Sequence, residues 1–131
     1  MSDRNTMHKD GELFPVPVAA ATEIFGGHMI CANAAGFAVP GVATAGFTVL
    51  GVCDGYVDNT GGAAGDTVVL VRRRKSWNFA NLGADAVTQA QIGKTCYLAD
   101  SQTVAKTSNT DVRPVAGIVL GVDADGVWVL I

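Results

Sequence analysis

The chain has 131 residues, of which 49% are hydrophobic, 16% are charged and 7% are aromatic. This length suits one compact domain, and so apolar a composition excludes disorder over most of the chain. The formal net charge of −3 excludes a globally basic nucleic-acid binder. No apolar run reaches the roughly 20 residues of a membrane-spanning helix, so we expect no contact with a membrane.

The polar residues favour turns over helices. Among the acidic residues only Glu12 and Glu23 are glutamates, and the others are Asp, which favours turns. The sequence therefore predicts an all-β fold, a small β-barrel or β-sandwich with one short helix and an extended N-terminal arm. Residues 1–12 are polar, lack the apolar core of a secretory signal and are expected to form a flexible arm. Residues 13–131 are expected to form a single β domain.

The first apolar segment alternates with prolines. Its residues are Leu13, Phe14, Pro15, Val16, Pro17 and Val18. Proline cannot donate a hydrogen bond to a sheet, so the segment is predicted to be an edge strand or an extended clasp on another surface. Both forms suggest contact with a partner, and these six residues are candidate contact residues.

Short apolar runs separated by Gly, Asp and Pro follow in the first half of the chain. The sequence predicts strands over residues 22–25, 28–32, 37–39, 48–53, 56–57 and 66–74. In the last of these, Val68 and Leu70 lie on one face and Val69 and Val71 on the other. Because both faces are apolar, we expect this part of the strand to be buried on both sides.

The second half begins with the only predicted helix, over about residues 85–92. Asp85 is the expected N-cap, Val87 and Ala90 have helical spacing, and Gly93 is the expected C-terminal stop. Strands are then predicted over residues 94–98, 102–106, 115–122 and 127–131. The last two flank residues 123–126, which have the composition of a hairpin turn.

Residues that could support catalysis are few. His8 and His28 are the only histidines, and neither has a second ligand at metal-binding spacing. Cys31, Cys53 and Cys96 each lie within an apolar run, where Cys is most often a small buried hydrophobe, and their wide spacing fits a reducing cytoplasm. We therefore expect no enzyme, no cofactor and no bound metal.

The one charged cluster consists of Arg72, Arg73, Arg74 and Lys75. With Trp77 and Phe79 after it, this run could bind single-stranded nucleic acid through phosphate contacts and base stacking. The other interpretation is a charged edge that contacts a second protein. The acidic net charge and the few aromatic residues favour the protein contact and make nucleic acid the less favoured partner.

The low charged fraction points to self-association. Soluble monomers usually carry about a quarter of charged residues, well above the 16% of this chain. Apolar surface left over on a small β domain is commonly covered by another subunit. The sequence therefore predicts a homo-oligomer.

Three segments, residues 65–73, 85–100 and 115–123, carry a family resemblance. They are similar to small capsid decoration proteins, also called head cement proteins, of tailed bacteriophages of the Mu-like type. The resemblance implies a structural virion protein without catalytic residues, a homotrimer that binds the major capsid protein on the capsid surface after assembly in the bacterial cytoplasm. It does not transfer contact residues by motif, and the basic run over residues 72–75 is a departure from the family.

Overall fold

The computed structural model describes all 131 residues and confirms the all-β prediction. Two 3-10 turns, Gly83–Asp85 and Gln89–Gln91, are the only helical elements. The strands are β1 (Leu13–Pro17), β2 (Thr22–Ile24), β3 (Met29–Ala32), β4 (Ala38–Pro40), β5 (Thr48–Cys53), β6 (Val57–Asn59), β7 (Val68–Arg72), β8 (Ser76–Asn81), β9 (Thr95–Asp100), β10 (Thr103–Ala105), β11 (Val115–Asp123) and β12 (Gly126–Leu130). Residues 1–10 lie outside every strand and are exposed, and no helix is long and apolar enough to cross a membrane.

The first half of the chain forms a five-stranded antiparallel sheet in the order β1-β7-β5-β3-β4. A bridge between Val18 and Ala38 draws its two outer strands together at one corner, so the sheet curls around its inner face. That face holds a core cluster with Ile30, Cys53, Val69 and Val71, among others. The separate β2–β6 pair contributes Ile24 to the same cluster.

The second half forms a closed barrel in the order β10-β8-β12-β11-β9. All of its pairs are antiparallel except the pair of β8 with β10. Alternate residues of β12, Val127 and Val129, are fully buried in the main core cluster. The cores of the two halves are therefore distinct, with one cluster in the curled sheet and one in the barrel.

The barrel packs against the outer face of the curled sheet. Met29, Cys31 and Val52 belong to the sheet, yet they lie in the main core cluster with the barrel residues. The Met29 amide donates to the Ser101 carbonyl at 2.8 Å, and His28 Nδ1 lies 2.8 Å from Ser101 Oγ. The central strands β3 and β5 are consequently covered on both faces.

The helix predicted over about residues 85–92 is wrong. The structure has two 3-10 turns, Gly83–Asp85 and Gln89–Gln91, with extended backbone between them. The side chain of Asn81 explains the break, because it accepts a hydrogen bond from the Val87 amide and donates one to the Val87 carbonyl, both at 2.8 Å. Both backbone groups of Val87 are thereby removed from any helical ladder.

Asp85 is not an N-cap. Its carboxylate accepts hydrogen bonds from the Thr107 amide and hydroxyl and from Arg113 Nη1, the last at 2.8 Å. The hydrogen bond from Thr107 is the main cause that lowers the pKa of Asp85, and Arg113 acts in the same direction. Asp85 therefore ties the turn before β9 to the loop after β10, a contact across 22 positions of the chain.

Candidate partner-contact surfaces

The prediction that the first half of the 66–74 strand is buried on both sides is wrong, because one of its faces is apolar and exposed. Val69 and Val71 of β7 are fully buried, but Val68 and Leu70 are 52% and 43% exposed. Pro17 and Pro15 of β1 lie directly opposite these two residues and are also exposed. We call the patch formed by Leu13, Pro15, Pro17, Val68 and Leu70 the β1–β7 shelf.

The shelf is the uncovered part of a face that the barrel covers elsewhere. Arg72 of β7 lies opposite Val52 of β5, and Val52 lies opposite Met29 of β3. Directly opposed residues point to the same side of a sheet, so these residues share the face of the shelf. Val52 and Met29 are buried by the barrel, whereas Val68 and Leu70 are not. The barrel therefore stops short of β7 and β1.

Of the two predicted forms of the 13–18 segment, the structure has the edge strand. The Val18 amide donates to the Thr67 carbonyl and the Arg73 amide to the Glu12 carbonyl, both at 2.9 Å. Because successive backbone N–H groups of a strand point to opposite sides, the N–H groups of the even-numbered residues of β1 point toward β7. Pro15 and Pro17 occupy the alternate positions, where an N–H would point away from the sheet. Because proline has no N–H, this free edge is poorly suited to accept another strand.

The candidate contact residues of β1 divide between two sides. Phe14 and Val16 pack against the inner core cluster, and Val18 is fully buried in it. Leu13, with Pro15 and Pro17, is on the shelf. Only the odd-numbered residues of this segment are thus available to a partner in the folded chain.

The basic turn consists of residues 72–75, between the two halves of the molecule. Arg72 forms a two-pronged pair with Asp54, Nε to Oδ1 at 3.1 Å and Nη2 to Oδ2 at 3.2 Å, and this contact lowers the pKa of Asp54. Arg73, Arg74 and Lys75 are exposed and form no ion pair within the chain. The turn is fixed at its backbone, since the Arg74 amide donates to the Ile131 carbonyl at 2.6 Å.

The two aromatic rings after the basic turn face the core. They lie on β8, a strand that the sequence pattern does not predict. Phe79 is 6% exposed within the main core cluster, and Trp77 is half-buried against it. These rings do not form an open stacking platform, so the hypothesis of single-stranded nucleic-acid binding now depends on the charge of the turn alone.

A second exposed apolar face lies on the outside of the barrel and was missed in the sequence. We call it the β11–β12 face; it comprises Ile118, Leu120, Trp128 and Leu130. Leu120, Trp128 and Leu130 are 50%, 42% and 40% exposed, and Ile118 lies directly opposite Leu130. The alternation of buried Val and exposed Trp and Leu along β12 is the pattern that could have located it.

One end of the β11–β12 face is acidic. Asp123 and Asp125 are exposed in the predicted hairpin turn between the two strands, which the structure confirms. The Asp123 carboxylate accepts hydrogen bonds from the Asp125 amide at 2.8 Å and from Trp128 Nε1 at 3.2 Å. The Asp123 side chain therefore links the turn to β12, and it places negative charge beside the Trp128 ring.

A third surface feature is an exposed cluster of aromatic rings that we call the aromatic corner. The ring of Phe25 lies 5.5 Å from that of Tyr56 and 5.9 Å from that of His28, between centroids. The Tyr56 hydroxyl donates to Glu23 Oε1 at 2.6 Å, and this hydrogen bond is the main cause that raises the pKa of Tyr56 to about 12.

The remaining chemistry is limited. Cys31, Cys53 and Cys96 are buried, as predicted, and none forms a disulfide bond. Burial raises the pKa of Cys96 to about 11. No group of three or more His, Cys, Asp or Glu side chains could hold a metal ion. Comparisons with family models, curated proteins and solved structures gave no match.

Proposed function

We propose that this chain is a structural, non-enzymatic virion protein, a decoration or cement protein that binds the major capsid protein on the outside of a tailed-phage capsid as a homotrimer. It would assemble in the bacterial cytoplasm and remain on the virion surface. The family resemblance of residues 65–73, 85–100 and 115–123 suggests this role. The observation that carries it is the β1–β7 shelf, the exposed apolar part of a sheet face that the chain's own barrel covers only in part.

The shelf supports an assembly role on energetic grounds. Removal of apolar area from water contributes roughly 25 cal/mol per Å², against which the entropy cost of association is set, and large exposed apolar patches commonly mark interaction sites. Leu13, Val68 and Leu70 all present such area on the same face of the sheet. A subunit that uses such faces gains stability by joining neighbours rather than by binding a small ligand.

The contact residues proposed come from the 13–18 segment and from the basic turn. Within the first set the outward residues Leu13, Pro15 and Pro17 would contact a partner directly. In the basic turn Arg73 to Lys75 are unpaired and would meet acidic groups of the shell or of a neighbouring copy. Residues 1–12 leave the sheet beside this turn, because the Glu12 carbonyl accepts a hydrogen bond from the Arg73 amide. These residues would dock on the shell.

The mechanism would be thermodynamic linkage. A protein that binds the expanded shell, but not its unexpanded or disrupted forms, stabilises the expanded shell by its binding free energy at each site. A trimer that engages several capsid subunits at once converts modest contacts into strong avidity. Internal pressure from packed DNA is then opposed by many identical clamps.

Co-sedimentation tests this proposal. Capsids of the phage that encodes the chain, assembled without it, are mixed with the purified wild-type protein. We expect saturable binding at a fixed ratio to the capsid protein and a higher temperature of capsid disruption. Absence of binding to expanded capsids would refute the proposal.

Charge reversal supplies a matched pair for the same assay. Arg73→Glu with Lys75→Glu is expected to weaken capsid binding, whereas Lys94→Glu with Lys106→Glu changes the net charge equally at other exposed positions and is expected to bind as wild type. Single-stranded DNA is the comparison ligand. Tight, salt-sensitive binding to it, lost only in the first variant, would favour the nucleic-acid function instead.

A further inference from the structure

We propose that the β1–β7 shelf of one copy packs against the β11–β12 face of the next, so that identical contacts close a ring. The occupant of each face is thus a second copy of this chain. This inference rests on the proposed homotrimer and names the surfaces that build it. The shelf lies on the curled sheet and the β11–β12 face on the barrel, so the two belong to different halves of the molecule.

The number of exposed apolar faces favours this arrangement. A two-fold contact uses the same patch on both subunits. In the free protein, such a contact through either face would leave the other face of every copy uncovered. A head-to-tail contact between unlike faces, repeated around a closed ring, covers both faces in every copy.

Charge complementarity points the same way. The shelf ends at the basic turn, where Arg73 and Arg74 have no acidic partner within the chain. The β11–β12 face ends at the acidic hairpin with Asp123 and Asp125. A contact between the two faces can bring these opposite charges together, which favours the correct orientation and speeds association.

The residue types on the two faces also suit a contact between copies. Trp128 is 42% exposed, and large aromatic residues are the most frequent anchors of protein interfaces. On the shelf, Pro15 lies directly opposite the exposed Leu70, and its ring adds conformationally rigid apolar surface. Because the prolines remove outward amides from the β1 edge, contact through the face is favoured over strand addition.

The competing arrangement is a two-fold contact between β11–β12 faces. The basic turn adjoins the other end of β12, because the Arg74 amide donates a hydrogen bond to the Ile131 carbonyl. The β11–β12 face therefore has an acidic group at one end and basic groups at the other. Two such faces in antiparallel orientation would also match charges. The two arrangements predict different behaviour for variants of the shelf.

The experiment uses one aspartate substitution on each face. Leu70→Asp alters the shelf and Leu120→Asp alters the β11–β12 face, at side chains that are 43% and 50% exposed. Val112→Asp is the control, at a residue of similar exposure, 40%, in neither face. Circular dichroism establishes that each variant is folded, and light scattering after size-exclusion chromatography gives the mass of each, alone and mixed.

We expect a trimer for the wild type and for Val112→Asp, and a monomer for Leu70→Asp and for Leu120→Asp. The equimolar mixture of the last two is expected to form a one-to-one dimer and nothing larger. The intact shelf of the Leu120→Asp chain can bind the intact face of the Leu70→Asp chain, while their altered faces prevent ring closure.

Other outcomes overturn the inference. A monomeric wild type, a Leu70→Asp variant that still oligomerises, or a mixture of folded monomers that does not associate would each contradict it. Loss of assembly in Leu120→Asp alone would indicate the two-fold contact. Capsid co-sedimentation separates the two proposals, because an oligomer that obeys these rules but binds no capsid refutes the proposed function only.

Discussion

Gly117 of β11 lies close to the backbone of β12 in the barrel wall, and its replacement tests how tightly these two strands pack. It is on β11 opposite Cys96, where the register between β11 and β9 shifts. A Cβ at Gly117 would overlap the carbonyl oxygen of Leu130 and lie 2.9 Å from Val129 Cγ1. Its φ angle is outside the left-handed region, so the effect of Gly117→Ala comes from packing rather than backbone strain.

The magnitude follows from what the new methyl group meets. Overpacking typically costs about 1 to 3 kcal/mol, and a backbone oxygen cannot rotate away as a flexible side chain can, so we expect about 3 kcal/mol. Unfolding entropy near 2.1 cal/mol/K per residue gives about 0.28 kcal/mol/K for 131 residues. The expected decrease in Tm is therefore about 11 °C.

Thermal unfolding followed by circular dichroism measures this effect, with all proteins at one concentration because self-association raises Tm. Gly83→Ala is the matched control, since a Cβ at Gly83 would have nothing within 4 Å and its φ is also outside the left-handed region. That variant is expected to remain within about 0.5 kcal/mol of wild type. Equal Tm values for the two variants would refute the packing of β11 against β12.

Three further predictions concern titratable groups. The hydrogen bond from Thr107 lowers the pKa of Asp85, so its stabilisation is present above the unfolded pKa of about 4 and is lost as the pH falls through the folded value. Asp85→Asn should therefore reduce stability to urea at neutral pH and match wild type in strong acid; an equal difference at both pH values would contradict this. Burial raises the pKa of Cys96 to about 11, so aromatic disulfide reagents at mildly alkaline pH should label this thiol only after unfolding. Rapid labelling of Cys96 in the native protein would show that the barrel core is open. The hydrogen bond from its hydroxyl to Glu23 is the main cause that raises the pKa of Tyr56 to about 12, so Glu23→Ala should shift the ultraviolet titration of the phenol toward 10.0. An unchanged titration would contradict the hydrogen bond between Tyr56 and Glu23.

The fold class was predictable because the determinants of short strands are local. Asp, Asn and Gly favour tight turns, and alternating apolar residues favour a half-buried strand, wherever they occur. The hairpin of β11 and β12 around residues 123–126 was found in this way. β8 was not predicted, because Trp77 and Phe79 followed the basic run and were interpreted as a possible stacking surface.

The helix failed for a reason that the local sequence does not contain. Asp85 and Gly93 stand where a helix would have its N-cap and its stop, so the local pattern favours a helix. The structure instead uses Asp85 to hold Thr107 and Arg113, and it uses Asn81 to hold both backbone groups of Val87. Hydrogen bonds to residues outside the segment therefore decide its backbone conformation, in spite of the local preference for a helix.

The candidate contact surfaces were predictable in part. Residues 13–18 and 72–75 were identified because prolines in an apolar segment and a run of basic residues are visible without a structure. The face around Leu120 and Trp128 was not identified, since it depends on which side of β11 and β12 points into the barrel. Sequence composition suggested excess apolar surface, but it did not give the location.

By itself, the sequence determined the all-β class, most of the strands and the burial of the three cysteines. Only the tertiary structure decided which apolar residues remain exposed. Val68 and Val69 are identical and adjacent, yet one is 52% exposed and the other is fully buried. Alternation puts them on opposite faces, but whether each face is covered depends on where the barrel, formed by residues far along the chain, packs on the curled sheet. It packs on β3 and β5 and leaves β7 open, and no local pattern encodes the extent of that contact.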